Sequence, residues 1–441
     1  MPEKIALISL GCSKNLVESE QMLASLEDAG FEIAAEPDGA DACIVNTCGF
    51  IESAKAEAVD VILEMAALKS EGKLRAIIAA GCLAERYKDD MLRELPEIDA
   101  IVGVGSARII AEAVRAALEG EEYAVFPDIN APVEERERAL TTGPAFAFVK
   151  IAEGCNNKCA YCVIPSIRGN YRSRRMEDIV AECEELARGG IKELIIIAQD
   201  TTMYGADLYS KPSLAALLER LEGIEGIEWI RVHYLYPDNL DDGIISLFAA
   251  SKKLLHYFDI PLQHVSDRLL KAMRRRYSGA KARELIQKIR RAMPDAVIRT
   301  SIIVGLPGET EADFEELCLF LKETRLERVG IFAYSAEEGT PAFEMENQID
   351  ETIKQQRLET LYTLQEPIME DWCDARAGGT LRVMVEEYDA DAELYAGRSY
   401  ADSPEIDGRV YFSAQTALAP GQFADVLIEA RNETDLTGYT L

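Results

Sequence analysis

Three apolar runs in the first hundred residues each end at a paired glycine and cysteine, and each is followed by a helical pattern. No other feature constrains the N-terminal fold as tightly. Ile5-Ala6-Leu7-Ile8-Ser9-Leu10 leads into Gly11-Cys12, Ala42-Cys43-Ile44-Val45-Asn46-Thr47 into Cys48-Gly49, and Leu74-Arg75-Ala76-Ile77-Ile78-Ala79-Ala80 into Gly81-Cys82. Continuous apolar runs of this length suit strands buried on both faces. Residues 15–29 and 51–69 carry helical patterns, and Ile101-Val102-Gly103-Val104 reads as a fourth strand. The predicted fold of 1–125 is therefore a parallel, doubly wound α/β sheet. The three cysteines are separated by 36 and 34 residues, about one strand-helix unit each. That spacing puts Cys12, Cys48 and Cys82 at strand carboxyl ends, the edge where open α/β sheets bind ligands. Two readings compete: a metal site made close-packed by its glycines, or three buried thiols. Periodic placement favours the metal. Cys43 falls mid-strand, and Cys183, Cys318 and Cys373 fall in helical patterns; these four read as packing thiols.

Residues 126–140 are polar and read as a linker. From 141 to 371 strands and helices alternate. Expected strands are 146–152, 193–198, 229–235, 256–260, 297–304 and 328–334, with helices such as 177–188, 279–292 and 310–324 between them. Six such units predict a partial (β/α)6 TIM-like barrel with its reactive end at the strand carboxyl termini. Residues 374–441 change to short β-rich runs punctuated by Pro404, Gly408, Pro420 and Gly421, which fits a small antiparallel β-barrel, OB-like in size.

The first expected barrel strand runs into Gly154-Cys155-Asn156-Asn157-Lys158-Cys159-Ala160-Tyr161-Cys162-Val163-Ile164-Pro165. Three thiolates spaced Cys-x3-Cys-x2-Cys can hold three irons of a four-iron cluster, and no fourth cysteine follows in the loop. The fourth iron is then open for chemistry. A closed zinc site is the alternative, and it would have to recruit His233, His256 or His264 from far along the chain. Other turns at expected strand ends suit ligand contact. Gly305, Pro307 and Glu309 lie in Ile303-Val304-Gly305-Leu306-Pro307-Gly308-Glu309-Thr310, and Gln199 lies in Ala198-Gln199-Asp200-Thr201-Thr202. Glu309 has two readings, acceptor from a ribose hydroxyl or electrostatic start of a helix. Two basic stretches, 168–175 and 274–277, read either as solvated faces or as phosphate and stacking contacts, and the first, just after the cysteine loop, also suits contact with a cofactor, a substrate or the second metal site.

The 441 residues carry 47 basic and 78 acidic side chains, a net charge of −31. Bulk electrostatic binding of nucleic acid is therefore not expected. No apolar run approaches the ~18 residues of a membrane span. The Met1-Pro2-Glu3-Lys4 start does not read as a signal peptide. A cytoplasmic location is expected, with the ten cysteines serving as ligands and buried thiols rather than disulfides.

The Cys155 loop resembles that of the radical S-adenosylmethionine (SAM) superfamily. In that superfamily the open iron chelates SAM, and an aromatic residue before the third cysteine, here Tyr161, often packs on the adenine. Packing alone is the other role for Tyr161. The order of a three-cysteine domain (1–125), a radical SAM core (141–371) and a small barrel similar to the TRAM domain (374–441) resembles the methylthiotransferases over essentially the whole chain. Gly11-Cys12-Ser13-Lys14-Asn15-Leu16-Val17, Tyr161-Cys162-Val163-Ile164-Pro165-Ser166-Ile167-Arg168-Gly169, Leu235-Tyr236-Pro237, Ile260-Pro261-Leu262-Gln263-His264 and Tyr334-Ser335-Ala336-Glu337-Glu338-Gly339-Thr340-Pro341 are similar to its ribosomal-protein branch. Ala160 stands where that branch is expected to have threonine.

The resemblance implies two [4Fe-4S] clusters, on Cys155/Cys159/Cys162 and on Cys12/Cys48/Cys82, and SAM in two roles, radical source and methyl donor. It implies methylthiolation of the β-carbon of an aspartate in protein twelve of the small ribosomal subunit. A low-potential donor such as flavodoxin or ferredoxin and a sulfur source are implied as partners. The alternatives are methylthiolation of a transfer-RNA adenosine and a non-catalytic iron-sulfur electron carrier. The small barrel holds 5 basic and 13 acidic residues over 374–441. That charge suits a basic protein better than transfer RNA, so transfer RNA is not expected as a partner. The barrel is expected to recognise the substrate and to be removable without loss of SAM cleavage.

Overall fold

The computed structural model of the chain describes residues 2–441, apart from the side chain of Asp89. It divides into two compact units. One comprises residues up to Thr141 with Ala152–Arg174 and Glu337–Thr340; the other comprises Thr142–Ile151, Arg175–Ala336 and Pro341–Leu441.

In chain order the first strands are β1 (Lys4–Ser9), β2 (Glu32–Ala34), β3 (Ala42–Thr47), β4 (Ala76–Gly81), β5 (Ala100–Val102), β6 (Tyr123–Val125), β7 (Phe146–Lys150), β8 (Ala152–Glu153) and β9 (Arg172–Ser173). β1 to β6 form one parallel sheet of the first unit, in the order β2-β1-β3-β4-β5-β6. The two long central strands, β3 and β4, are buried along their whole length, as continuous apolar runs require. Alternate residues of β3 enter two different cores. Ile44 packs with Ile5, Met22, Ile78 and Val114, while Cys43 and Val45 pack with Ile62, Ile77 and Ile101. Helices therefore cover both faces, and the sheet is doubly wound. β2 and β6 are three-residue edge strands, too short to show a period in sequence.

In the second unit β7, β10 (Glu193–Ile197), β11 (Trp229–Val232), β12 (Leu254–Asp259), β13 (Val297–Val304) and β14 (Arg328–Ala333) form a parallel sheet whose spatial order is the chain order. This is the open six-stranded partial barrel expected from the sequence. The C-terminal strands β15 (Thr380–Asp389), β16 (Leu394–Arg398), β17 (Val410–Ser413), β18 (Phe423–Asn432) and β19 (Asp435–Thr440) close a small barrel around Val383, Val385, Val410, Phe412, Val426 and Ile428. Its pairings are antiparallel except β17 with β19. The β18–β19 hairpin already pairs through β18 with β15, so β19 can seal the last edge only by running alongside β17.

The small barrel is not a loose appendage to the sheet of its unit. Strand register puts Glu193, Arg231, Tyr257, Arg299 and Arg328 on one face of that sheet. Residues 398–407 pack onto this charged face. Arg231 and Arg398 both hold the buried Glu193 carboxylate at 2.7 Å, and Arg398 reaches Glu386 at 2.6 Å. Asp407 accepts from Arg299 at 2.8 Å and from the Tyr257 hydroxyl at 2.6 Å. Asp402 pairs with Arg328 at 3.0 Å, and Ser403 meets His233 Nε2 at 3.0 Å. Trp229 and Phe423 add an edge-to-face aromatic contact at 4.8 Å. Removal of 374–441 would take Asp407 from Arg299 and Asp402 from Arg328 and would leave Glu193 with Arg231 alone, at a cost in stability to this unit.

Candidate functional site

The first unit brings the N-terminal strand ends together. Cys12 follows β1 and precedes helix Ser13–Asp28, Cys48 follows β3, and Cys82 opens helix Cys82–Glu94 directly after β4. Glycines permit the convergence. Gly11 has φ +89°, and a Cβ there would stand 2.6 Å from Cys48 Cβ and 3.0 Å from its Sγ. A Cβ on Gly49 would stand 2.8 Å from Leu83 Cα and 2.9 Å from the Cys82 carbonyl oxygen. Any side chain at either glycine would push the three loops apart.

The three thiols feel one another. Cys48 and Cys82 are buried, whereas Cys12 keeps solvent access. Burial pushes the Cys82 thiol up to about 12, partly offset by Arg168, while charge on Cys12 and Cys48 adds to the rise. Burial also raises Cys48, and negative charge on Cys12 adds to it. At Cys12 desolvation by the surrounding protein is outweighed by Lys14, Arg168 and the backbone N–H groups of Asn15 and Lys14, and the thiol lies below its ordinary value. Three crowded thiols resist ionising together unless a cation is added. A metal group supplies that cation and binds the thiolates in exchange for their protons. The donor set therefore fits an iron-sulfur group.

The second cysteine loop belongs to the same unit. It runs between β8 and β9, which pair antiparallel at its base. Gly154 has φ +73°, and a Cβ there would lie 2.1 Å from the Asn170 carbonyl oxygen. The Cys155 N–H donates to Gly169 O at 3.2 Å and the Cys162 N–H to Cys159 O at 3.1 Å. Cys155, Cys159, Tyr161 and Cys162 are all half-buried, accessible at the loop surface. Among the described residues no three His, Cys, Asp or Glu side chains converge as a single ion would need. Thiolates at separate corners of a cube need no such convergence. The three histidines all lie in the second unit, where each has an internal partner: His233 with Ser403, His256 with Asp295 at 2.8 Å, and His264 with Glu309 at 3.1 Å. The zinc alternative thus finds no histidine in the cysteine unit.

The remaining site residues expected from sequence, Gln199, Gly305, Pro307 and Glu309, lie in the second unit, apart in sequence and unit from Tyr161. Gln199 follows the carboxyl end of β10, and both polar atoms of its amide are buried without a partner among the described residues. An amide left so is costly unless a ligand or water meets it. Gly305 has φ +77°, and the space its missing side chain leaves is taken by Lys354, whose Cγ would lie 2.3 Å from an added Cβ. Lys354 Nζ then donates to Tyr334 O at 3.0 Å. Pro307 is buried in the same turn.

Glu309 is fully buried. It accepts from the Gly305 N–H, from Arg357 at 2.7 Å and from His264 Nε2. His264 Nδ1 accepts from the Ser266 N–H at 3.0 Å, which leaves Nε2 as the protonated nitrogen facing Glu309. The helix start allowed to Glu309 by sequence is carried by Thr310 and Asp313, which form a reciprocal capping box before Glu311–Thr324. The carboxylate instead anchors the turn to helix Glu351–Asp374.

The basic stretches are divided: Arg175, Arg274 and Arg276 are exposed, while the others have internal partners. Arg168 is buried, Arg172 donates to Asn170 O at 2.7 Å, and Arg174 Nε meets Glu135 at 2.9 Å. Arg275 stacks 4.0 Å over the Tyr236 ring, and Tyr277 donates to Leu262 O. Sequence reasoning missed Asn15, Glu18 and Glu153, which surround Arg168. Asn15 lies in the Gly11–Val17 motif without an assigned role, whereas the only signal for Glu18 and Glu153 was polarity after a strand end or before the cysteine loop.

Residues 149–321 match the Radical SAM superfamily, 4–103 the Uncharacterized protein family UPF0004, and 377–440 the TRAM domain. The chain is 49% identical over 450 residues to the ribosomal protein uS12 methylthiotransferase RimO of Pelotomaculum thermopropionicum, with 99% of each chain covered. It is 46% identical over 436 residues to the protein of the same name from Lachnoclostridium phytofermentans, again with 99% of each covered. This chain belongs to the RimO family of radical SAM methylthiotransferases. Its radical SAM part implies one [4Fe-4S] cluster and SAM. The RimO-family fold also resembles the radical SAM methyltransferase TsrM from Kitasatospora setae, with a TM-score of 0.54 at 15% identity over 75% of this chain and 72% of that one. No helix among the described residues is long and apolar enough to cross a membrane.

Proposed function

We propose that this chain methylthiolates the β-carbon of an aspartate in ribosomal protein uS12. The carrying observation is full-length similarity to proteins named for that activity. We assign Cys155, Cys159 and Cys162 to the cluster that binds SAM, and Cys12, Cys48 and Cys82 to a second cluster. Support for the second comes from strand ends brought together by Gly11 and Gly49. The three-part division into 1–125, 141–371 and 374–441 goes with this reading, as do a low-potential electron donor and a sulfur source.

The target C–H bond is unactivated, so polar acid-base chemistry from side chains cannot reach it, and cofactors must supply the radical. When bound, the two clusters supply the electron for reductive SAM cleavage and the sulfur to be inserted. The chain's own residues hold and orient. Gly154 and the Cys155–Gly169 backbone bond fix the SAM-side loop. Tyr161 offers an aromatic face beside Cys162. Gln199 offers an unpaired amide at a strand carboxyl end, which favours a polar ligand group there. Gly305, Pro307 and Glu309 build a turn at a strand carboxyl end that Arg357 and His264 hold in place.

The test is anaerobic incubation with SAM, sulfide, a low-potential reductant and uS12, read by peptide mass spectrometry. Methylthio-aspartate is expected, with transfer RNA unchanged. Methylthioadenosine on transfer RNA with unmodified uS12 would overturn the substrate assignment. Absence of 5′-deoxyadenosine would overturn the enzyme reading.

A further inference from the structure

Arg168 is the last residue of helix Ile164–Arg168, which starts two residues beyond Cys162. It is 3% exposed. Its Nη2 meets Asn15 Oδ1 at 2.5 Å, Cys82 Sγ at 3.2 Å and Glu18 Oε2 at 3.4 Å. Its Nη1 meets both Glu153 oxygens, at 3.2 and 3.3 Å. These partners belong to the surroundings of three cysteines, Cys12, Cys82 and Cys155. Asn15 and Glu18 lie in the helix that follows Cys12, and Glu153 is two residues before Cys155. One guanidinium thus ties the SAM-side loop to the strand ends that carry Cys12 and Cys82, all within one unit.

A buried arginine is often a structural keystone, and two carboxylates would satisfy that role. The contact with Cys82 Sγ goes beyond it. Hydrogen bonds to ligand sulfurs and nearby charge set the potential of an iron-sulfur group, because they stabilise its more negative, reduced form. Arg168 supplies both, and its planar fork can hold sulfur and carboxylate in fixed directions where lysine's point charge cannot.

We infer that Arg168 is a positioning residue that tunes the N-terminal metal group through Cys82 and holds it in register with the SAM-side loop. The inference rests on the assignment of Cys12, Cys48 and Cys82 to a cluster. Charge loss at residue 168 makes the reduced group harder to form. Loss of the fork uncouples SAM cleavage from sulfur insertion.

The experiment uses full-length R168Q, R168K and R168Q/E153Q; the double variant avoids stranding Glu153. Each is reconstituted anaerobically, both in the wild-type background and with Cys155, Cys159 and Cys162 replaced by Ala so that one cluster titrates. Iron content, EPR-monitored midpoint potential and the ratio of methylthiolated product to 5′-deoxyadenosine are measured. R168Q and R168Q/E153Q should retain iron, shift the midpoint to more negative potential and lower the product ratio at least tenfold while still cleaving SAM. R168K should keep a midpoint near wild type but a lowered ratio. Iron bound with midpoint and ratio unchanged in R168Q/E153Q would overturn the inference alone. No iron in the triple-alanine background with Arg168 intact would remove the cluster assignment, and the inference with it.

Discussion

Arg398→Met should destabilise the second unit far more than its place in a surface barrel suggests. Arg398 is 2% exposed at its side chain and holds Glu193, which is fully buried, while Glu386 is 13% exposed. Removing it leaves Glu193 with Arg231 alone and Glu386 without its partner. Breaking one partner out of a buried ionic set costs about 3–5 kcal/mol. At roughly 2 °C per kcal/mol, the lower end of the range for large domains, the melting temperature should fall by about 6–10 °C. Glu387→Gln is the control, because its pair with Arg409 is 57% and 41% exposed, and it should cost at most about 1 kcal/mol. Replacing Glu193, Arg231 and Arg398 together by Leu, Met and Met should cost less than Arg398→Met, since the fully buried Glu193 charge is then gone and only the partly exposed Glu386 loses its partner.

Thermal melts by circular dichroism supply the global readout. Tryptophan emission supplies a local one, because the chain has only two tryptophans and both border the packed barrel. Trp229 contacts Phe423, and Trp372 lies under Arg328 at 4.5 Å. A melt of Arg398→Met within 1–2 °C of wild type, on the scale used above, would refute the reasoning. So would a triple variant as unstable as the single one. Truncation before Asp374 should likewise lower the stability of the second unit, read by the same melts, because it removes Arg398, Asp402 and Asp407 from the charged face.

Other outcomes follow from the same structure. Replacing Cys155, Cys159 and Cys162 by Ala should leave about half the iron and abolish SAM cleavage; replacing Cys12, Cys48 and Cys82 should also leave about half but spare cleavage, as checked by iron assay and 5′-deoxyadenosine chromatography. For Glu193, burial opposes ionisation, but Arg398 and Arg231 more than offset it and hold the carboxyl below its ordinary value. Its contribution is therefore present above the ordinary carboxylate range and is lost as pH falls through the lowered folded value, so melts from neutral to acid pH should show a decline that is shallower in Arg398→Met. Gln199→Leu should leave the melt unchanged or raised, because no protein partner is lost, yet weaken SAM or substrate binding severalfold by titration; unchanged affinity for both would remove the ligand role.

The sequence by itself determined the strand-helix alternation, because continuous apolar runs and 3.6-residue periods are local signals. β3, β4 and the six strands of the partial barrel therefore fall close to where the pattern put them. It also singled out six cysteines as ligand candidates, since a 36- and 34-residue spacing matches one strand-helix unit and Cys-x3-Cys-x2-Cys fits a single loop. Tertiary structure decided what the polar residues do. Arg231, Arg299 and Arg328 look like ordinary strand charges until register puts them on one face and residues 398–407 cover it. Glu309 has a free choice of partners in sequence, and packing of helix Glu351–Asp374 gives it Arg357. Arg168 reads as one member of a basic run, and only the fold buries it between Cys82, Glu18 and Glu153. The physical reason is range. Burial and periodicity are written in neighbouring residues, whereas the partner of a buried charge stands tens to hundreds of residues away and is chosen by whichever fold can satisfy it.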